Sequence, residues 1–340
     1  MKTNKALLSY FLSRSLFLGG GISTLFLYSS KDAYLAIILG TILGIGVIYL
    51  ISKIGAKIST NDSYNIVTRV IYLLYILFLI FILLIILATF LYSYFLPFTP
   101  SIVSALPFIL IAVFLNSKSI KKITYVAQIL FVLSLVLIFT KTILLVNEFD
   151  FSNILPIFST KPSSLFKTSI IFTVLSTAPF LTTIDENIPF KDNLKYYLIS
   201  MLTIFIVVLS ITIVLGEMVN IYSYPEYSVL RKISLFNFIE NIENFISAGW
   251  FFDIFINLSI CSLKIKNITK TNSNVIPFIM ILSILIIVNN YVANNFYNSM
   301  AIYKVFPWVL LILMIVLSLT FLIPKKKDTQ IVSKSISKYI

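Results

Sequence analysis

Stretches of about twenty apolar residues, the length a helix needs to cross the hydrocarbon core of a bilayer, recur along this 340-residue chain. Ten can be marked off, at approximately residues 6–28, 33–54, 66–96, 101–115, 123–146, 165–184, 194–221, 234–263, 275–292 and 303–323. The third is the longest and is expected to tilt. The fourth is the shortest and is interrupted by Pro107. Hydrophobic residues make up 59 % of the chain and charged ones 11 %, a balance foreign to a water-soluble domain of this length. The sequence therefore reads as an all-α polytopic membrane protein, with a ten-helix membrane domain over residues 1–324 and a basic tail over 325–340. Lys325, Lys326 and Lys327, followed by Ile331, Val332 and Ile336, are expected to lie along anionic lipid headgroups.

Composition removes several kinds of chemistry. Without histidine there is no imidazole catalysis, proton relay or imidazole metal ligand. The single cysteine, Cys261, lies in an apolar segment, so an intrachain disulfide or a thiolate metal site is not expected. No cofactor, metal or enzymatic activity is anticipated. Lys2 and Lys5 ahead of an apolar run resemble a signal peptide, but no small-residue cleavage site follows and the run leads straight into another span, so it is expected to remain as a helix.

Positive residues mark the cytoplasmic side. With both termini inside, eighteen lysines and arginines fall on that side and six outside (Lys31, Lys161, Lys167, Arg231, Lys232 and Lys304), a bias that an odd number of spans would destroy. The net charge of +13 is then mostly topological, and a nucleic-acid partner has no soluble domain to bind.

The first stretch carries Arg14 and the consecutive Gly19, Gly20 and Gly21, in a chain with nine glycines in all. Each glycine weakens a helix by about 1 kcal/mol relative to alanine, so unwinding at mid-membrane depth is expected. Unwound backbone persists in a bilayer only where protein or a wet cavity satisfies it. The triplet is thus a candidate site lining; the alternative is close packing through small residues. The sixth stretch contains Leu175, Ser176, Thr177, Ala178 and Pro179. Pro179 should break that helix, with Ser176 and Thr177 placed to cap its restart. These two stretches are the first members of two five-span halves separated by residues 147–164, and broken helices at matching positions point to a 5+5 inverted-repeat (LeuT-type) transporter fold. Free N–H groups at Gly21, Ile22 and Ser23 suit a carboxylate. Carbonyls near Leu175 and Ser176 suit an ammonium group, so a small zwitterion such as an amino acid would satisfy both.

On the eighth stretch Glu240, Glu243, Ser247, Trp250, Asp253 and Asn257 fall within an arc of about 140°, with Phe238, Phe245, Phe252 and Phe255 on the other, lipid-facing side. Asp253 lies about 15 Å and Arg14 about 12 Å from the inner ends of their helices. An isolated charge at that depth costs ~3 kcal/mol or more, so an Arg14–Asp253 ion pair is expected. It either fixes only the packing of the two helices or also occupies the place where a transporter would hold a coupling cation. Glu240 and Glu243 are expected to be hydrated or to pair with Arg231 and Lys232. Lys141 and Glu217 are expected to snorkel outward.

The segment Tyr224-Pro225-Glu226-Tyr227-Ser228-Val229-Leu230-Arg231-Lys232-Ile233, then Phe238-Ile239-Glu240-Asn241-Ile242-Glu243 and Trp250, resembles the B-subunit family of bacterial spore germination receptors. Lys31-Asp32-Ala33-Tyr34-Leu35-Ala36 and the second helix with Gly40, Gly44 and Gly46 are similar too. That family consists of ten-helix relatives of amino-acid permeases, in the amino acid–polyamine–organocation superfamily. The resemblance implies a nutrient sensor in the spore inner membrane that recognises a small germinant, often an amino acid, together with a larger membrane subunit and a lipoprotein. No proline accompanies the glycines of the first span, which leaves open a transport paralogue: a proton-coupled or facilitative amino-acid permease with the same fold and site.

Overall fold

One helix of this chain is buried on every side over much of its length. A computed structural model describes residues 4–17, 20–58, 65–115, 119–233 and 242–322. In it the side chains from Leu79 to Leu91, save Phe81, have almost no exposed surface, as befits a helix that is apolar all round. That helix is α4 (Ile66–Phe90). Around it stand α1 (Leu8–Leu12), α2 (Gly20–Ser29), α3 (Ala33–Ile58), α5 (Ser101–Leu115), α6 (Ile120–Leu145), α7 (Pro162–Thr177), α8 (Phe190–Leu215), α9 (Pro225–Leu230), α10 (Ile242–Ser247), α11 (Gly249–Thr269) and α12 (Val275–Leu322). No strand occurs among the described residues.

Among the described residues, seven helical stretches are long and apolar enough to cross a membrane: Gly20–Ile58, Ile66–Phe95, Ile120–Glu148, Pro162–Glu186, Phe190–Ile221, Val275–Val292 and Ala301–Phe321. This is a multi-pass membrane protein. The number differs from the ten expected because the remaining stretches are not plain apolar rods. The first stretch is divided into the short α1 and α2, with a turn at Ser30 (φ 44°) before α3, Ser101–Leu115 is shorter than a full span, and α11 carries Asp253, Lys264 and Lys266. Helical backbone also continues through 293–302, where a loop was expected. The second apolar stretch of α12 runs antiparallel to α4, since Tyr303 hydrogen-bonds Thr89 and the Thr320 carbonyl accepts from Thr68. The basic tail, Gly19, Glu240 and Phe238 lie outside the described residues.

The expected interruption of the sixth stretch falls at Pro179. α7 ends at Thr177 and the chain tightens to a 3-10 helix over Ala178–Glu186, with Thr183 off helical geometry. Carbonyls of this segment accept from α4: the Tyr75 hydroxyl donates to Ala178 O at 2.5 Å, and the Tyr72 hydroxyl donates to Leu181 O at 3.0 Å and to Thr182 O at 3.2 Å. Ser176 and Thr177 do not cap a restart; both hydroxyls turn back to the Thr173 carbonyl. The segment is clamped from the other side by α3, where Gly40 leaves no room for a side chain against Phe172, nor Gly55 against the Ile184 carbonyl. Small residues thus let two backbones touch where lipid supplies no driving force for association.

The first stretch breaks earlier than its glycines. α1 ends at Leu12, residues 13–16 form a turn, and α2 begins at Gly20. Side chains of neighbouring helices hold the turn: Ser13 Oγ donates to Ser200 Oγ at 2.5 Å, and Asn257 Nδ2 donates to Ser15 Oγ at 2.7 Å. At one end of the bundle Lys264 joins Asp185 (2.5 Å) and Glu186 (2.8 Å), and Lys5 joins Glu186 (2.9 Å). At the other, Asp32 accepts from Ser159 Oγ and Thr160 N, docking the connection between the two halves onto the start of α3.

If α4 holds the Pro179 interruption through tyrosine hydroxyls, Tyr75→Phe should lower stability by about 1–3 kcal/mol, the cost of leaving a buried carbonyl unsatisfied. Thermal unfolding in detergent would measure it, and Leu79→Ile on the same helix should have a smaller effect.

Candidate functional site

Between the first interruption, α8 and α11 the packing leaves a small cavity of ≈ 30 Å³. It is walled by Arg14, Phe17 and Ile22 of the first stretch, by Thr203, Ile204 and Val207 of α8, and by Trp250 and Asp253 of α11. That volume holds one or two waters, so anything larger must move a wall.

The charged wall is Arg14 and Asp253. Arg14 Nε lies 3.1 Å from Asp253 Oδ2, and both side chains are buried. The rest of the guanidinium is also engaged: Nη1 donates to the Tyr10 hydroxyl at 2.5 Å and to Thr203 Oγ1 at 2.8 Å, and the group lies 4.8 Å from the Tyr10 ring centre. Tyr10 is bonded in turn to Ser134 of α6. One arginine therefore ties α1 to α6, α8 and α11. The second carboxylate oxygen, Asp253 Oδ1, is buried and has no hydrogen-bond partner. A pair that is neutral overall but retains an unused acceptor beside a cavity suits a ligand with a cationic donor.

The other expected site residues are placed differently. Gly20 does not line the cavity; the Tyr303 ring occupies the space a side chain would take, and Gly21 is pressed against the Leu16 carbonyl. Ile22 does border the cavity, but its backbone N–H donates to Phe17 O at 3.1 Å. Ser23 faces a second, wider opening of ≈ 230 Å³ next along α2, shared with Thr24, Asn220, Tyr303 and Lys304. Leu175, Ser176, Thr177, Ala178 and Pro179 are fully buried and absent from the cavity wall, their polar groups spent within the protein. The first stretch nevertheless packs against α7, with Phe17 and Phe172 ring centres 5.1 Å apart.

On the acidic helix, Trp250 lines the cavity and Glu243 is half-buried on α10 without an ion pair among the described residues. Lys232 donates to the Val214 carbonyl at 3.3 Å and Arg231 is exposed, so neither takes the pairing with Glu243 expected of it. Phe252 and Phe255 are partly buried against the cluster around Tyr10, not turned wholly to lipid. Glu217 is exposed as expected, but Lys141 is 3 % exposed and does not snorkel.

Thr203, Ile204 and Val207 escaped the sequence reading, although Ser200, Thr203, Ile204 and Val207 follow the i, i+3, i+4, i+7 spacing of a single helix face. Ser13 and Ser15, flanking Arg14 in an apolar run, were likewise a legible sign of where the backbone turns.

A family model described as "Spore germination protein" matches residues 10–275, more than three quarters of the chain. No individually curated protein matches it.

Cutting either partner of the buried pair leaves the other charge alone. Arg14→Met and Asp253→Leu should each destabilise the protein by about 3 kcal/mol, and the double variant by much less than their sum. A thermal-unfolding double-mutant cycle would give the coupling directly.

Proposed function

Because the chain belongs to the spore germination protein family, we propose that it is the membrane subunit of a germinant receptor and recognises a small nutrient at the cavity beside Arg14 and Asp253. The observation that carries this reading is the unsatisfied Asp253 Oδ1 next to a cavity walled otherwise by Phe17, Ile22, Ile204, Val207 and Trp250. A buried acceptor left unpaired costs about 1–3 kcal/mol, an expense that a ligand ammonium group would remove. The apolar walls suit the body of an amino acid. The wider opening at Ser23 and Tyr303 offers the approach.

In this reading the membrane domain has ten spans in a 5+5 inverted repeat, with helices one and six interrupted and both termini cytoplasmic. The turn at residues 13–16 and the 3-10 segment Ala178–Glu186, first in their respective halves, support it, as does the bias of positive residues. The protein would lie in the spore inner membrane beside a larger membrane subunit and a lipoprotein. The site serves recognition, not catalysis; the sequence has no histidine.

An amino-acid permease would use the same cavity, and the ion cluster of Lys5, Asp185, Glu186 and Lys264 would then have to open in each cycle. Proteoliposomes of the isolated chain separate the two. A receptor subunit is expected to bind labelled amino acid saturably without accumulating it, and Val207→Phe, which fills the cavity, should weaken binding by tenfold or more while shifting the melting temperature little. Sustained accumulation would favour the permease; binding indifferent to Val207→Phe would remove this site.

A further inference from the structure

Trp250 forms one wall of the cavity, and beyond its indole lies a charge that the site as described does not use. Lys141 of α6 is 3 % exposed, its ammonium has no hydrogen-bond partner, and that group stands 5.8 Å from the Trp250 ring centre. The juxtaposition is built in. A side chain at Gly249 would come within 2.8 Å of Leu137 Cδ1, so α11 and α6 approach backbone to side chain one turn before Lys141, and the next residue on α11 covers the lysine. Lys141 is four residues from the end of α6, within reach of the membrane interface for a snorkelling side chain. It is turned inward instead.

The energetics leave a deficit. A buried ammonium with no bonded acceptor is costly, and a cation–π contact offsets only part of that cost. Glu226, fully buried on α9, acts on Lys141 electrostatically but does not hydrogen-bond its ammonium. What the ammonium lacks is a directly bonded acceptor, which an anionic group would supply, and the cavity is too small for a ligand unless a wall moves. Trp250 is the wall whose displacement joins the cavity to Lys141.

We propose that Lys141 binds the carboxylate of the ligand, reached when the Trp250 indole turns aside, while Asp253 Oδ1 holds the ammonium group. Trp250 and Asp253 are three residues apart on one helix face, about 5–6 Å at Cβ, so a ligand anchored at Asp253 presents its neighbouring group on the Lys141 side. The ligand is then an α-amino acid with a free carboxylate, not an amine, a sugar or a nucleoside. This inference rests on the proposed recognition of a nutrient at this cavity.

Binding of the twenty standard L-amino acids to the full chain in nanodiscs, followed by the carboxamide of the tightest binder, tests it. The carboxamide keeps the ammonium and loses the negative charge. The wild type should prefer the acid by about tenfold or more, each tenfold being about 1.4 kcal/mol. Lys141→Met should abolish that preference with carboxamide affinity within about twofold and an undiminished melting temperature, and Lys141→Arg should retain it. If Lys141→Met does not fold, Lys141→Gln and the wild-type preference carry the test. A preference that survives loss of the lysine, a wild type that does not distinguish acid from amide, or equal loss of both ligands with a lowered melting temperature would overturn the role of Lys141 and leave the cavity as a binding site. No binding by any amino acid would overturn the proposed function and this inference with it.

Discussion

A guanidinium inside an apolar bundle has to be met by a carboxylate, and most of what surrounds the site follows from how Arg14 is met. Asp253 supplies the charge, and Tyr10 and Thr203 accept from Nη1. These partners come from three different helices, so one residue fixes the spacing of α1, α8 and α11. The backbone can leave helical geometry at residues 13–16 because the same helices supply Ser200 and Asn257 to the turn. The polar requirements of the pair and of the turn are thus met together, and the small cavity lies where neither packs tightly.

The second interruption is handled by another device. Proline removes a donor and ends the regular helix, and two tyrosines on the most deeply buried helix bond the carbonyls of Ala178, Leu181 and Thr182 in the segment that follows. α4 is therefore both core and support. With α3 pressed against the same segment through glycines, the Ala178–Glu186 stretch is gripped from both sides, and its end is tied to Lys264 and Lys5.

Residues constrained by their own chain were legible in the sequence. The depths of Arg14 and Asp253 follow from counting along their helices, and bilayer cost makes pairing the cheap solution. Pro179 marks a break, whereas Pro107, also expected to interrupt its stretch, and Pro307 lie inside continuous helices. What depended on distant partners was hidden. Whether Gly20 lines a cavity or receives a ring is decided by Tyr303, nearly the whole chain away. Whether Lys141 snorkels is decided by Gly249 and Trp250. Likewise the carbonyls near Ser176 looked available because nothing local announced Tyr72 and Tyr75. Length and composition alone mark seven spans among the described residues, because a short helix, a divided one and the charged α11 do not pass as plain apolar rods.

The central claim is that a small solute occupies the space between Val207, Trp250 and the Arg14–Asp253 pair. Placing a cysteine at Thr203 or Val207, with buried Cys261 replaced by serine, and following its reaction with a small water-soluble thiol reagent tests this most directly. The account predicts slow labelling that a saturating mixture of amino acids suppresses. Labelling that is unaffected by amino acids, or a cysteine that no reagent ever reaches, would contradict it.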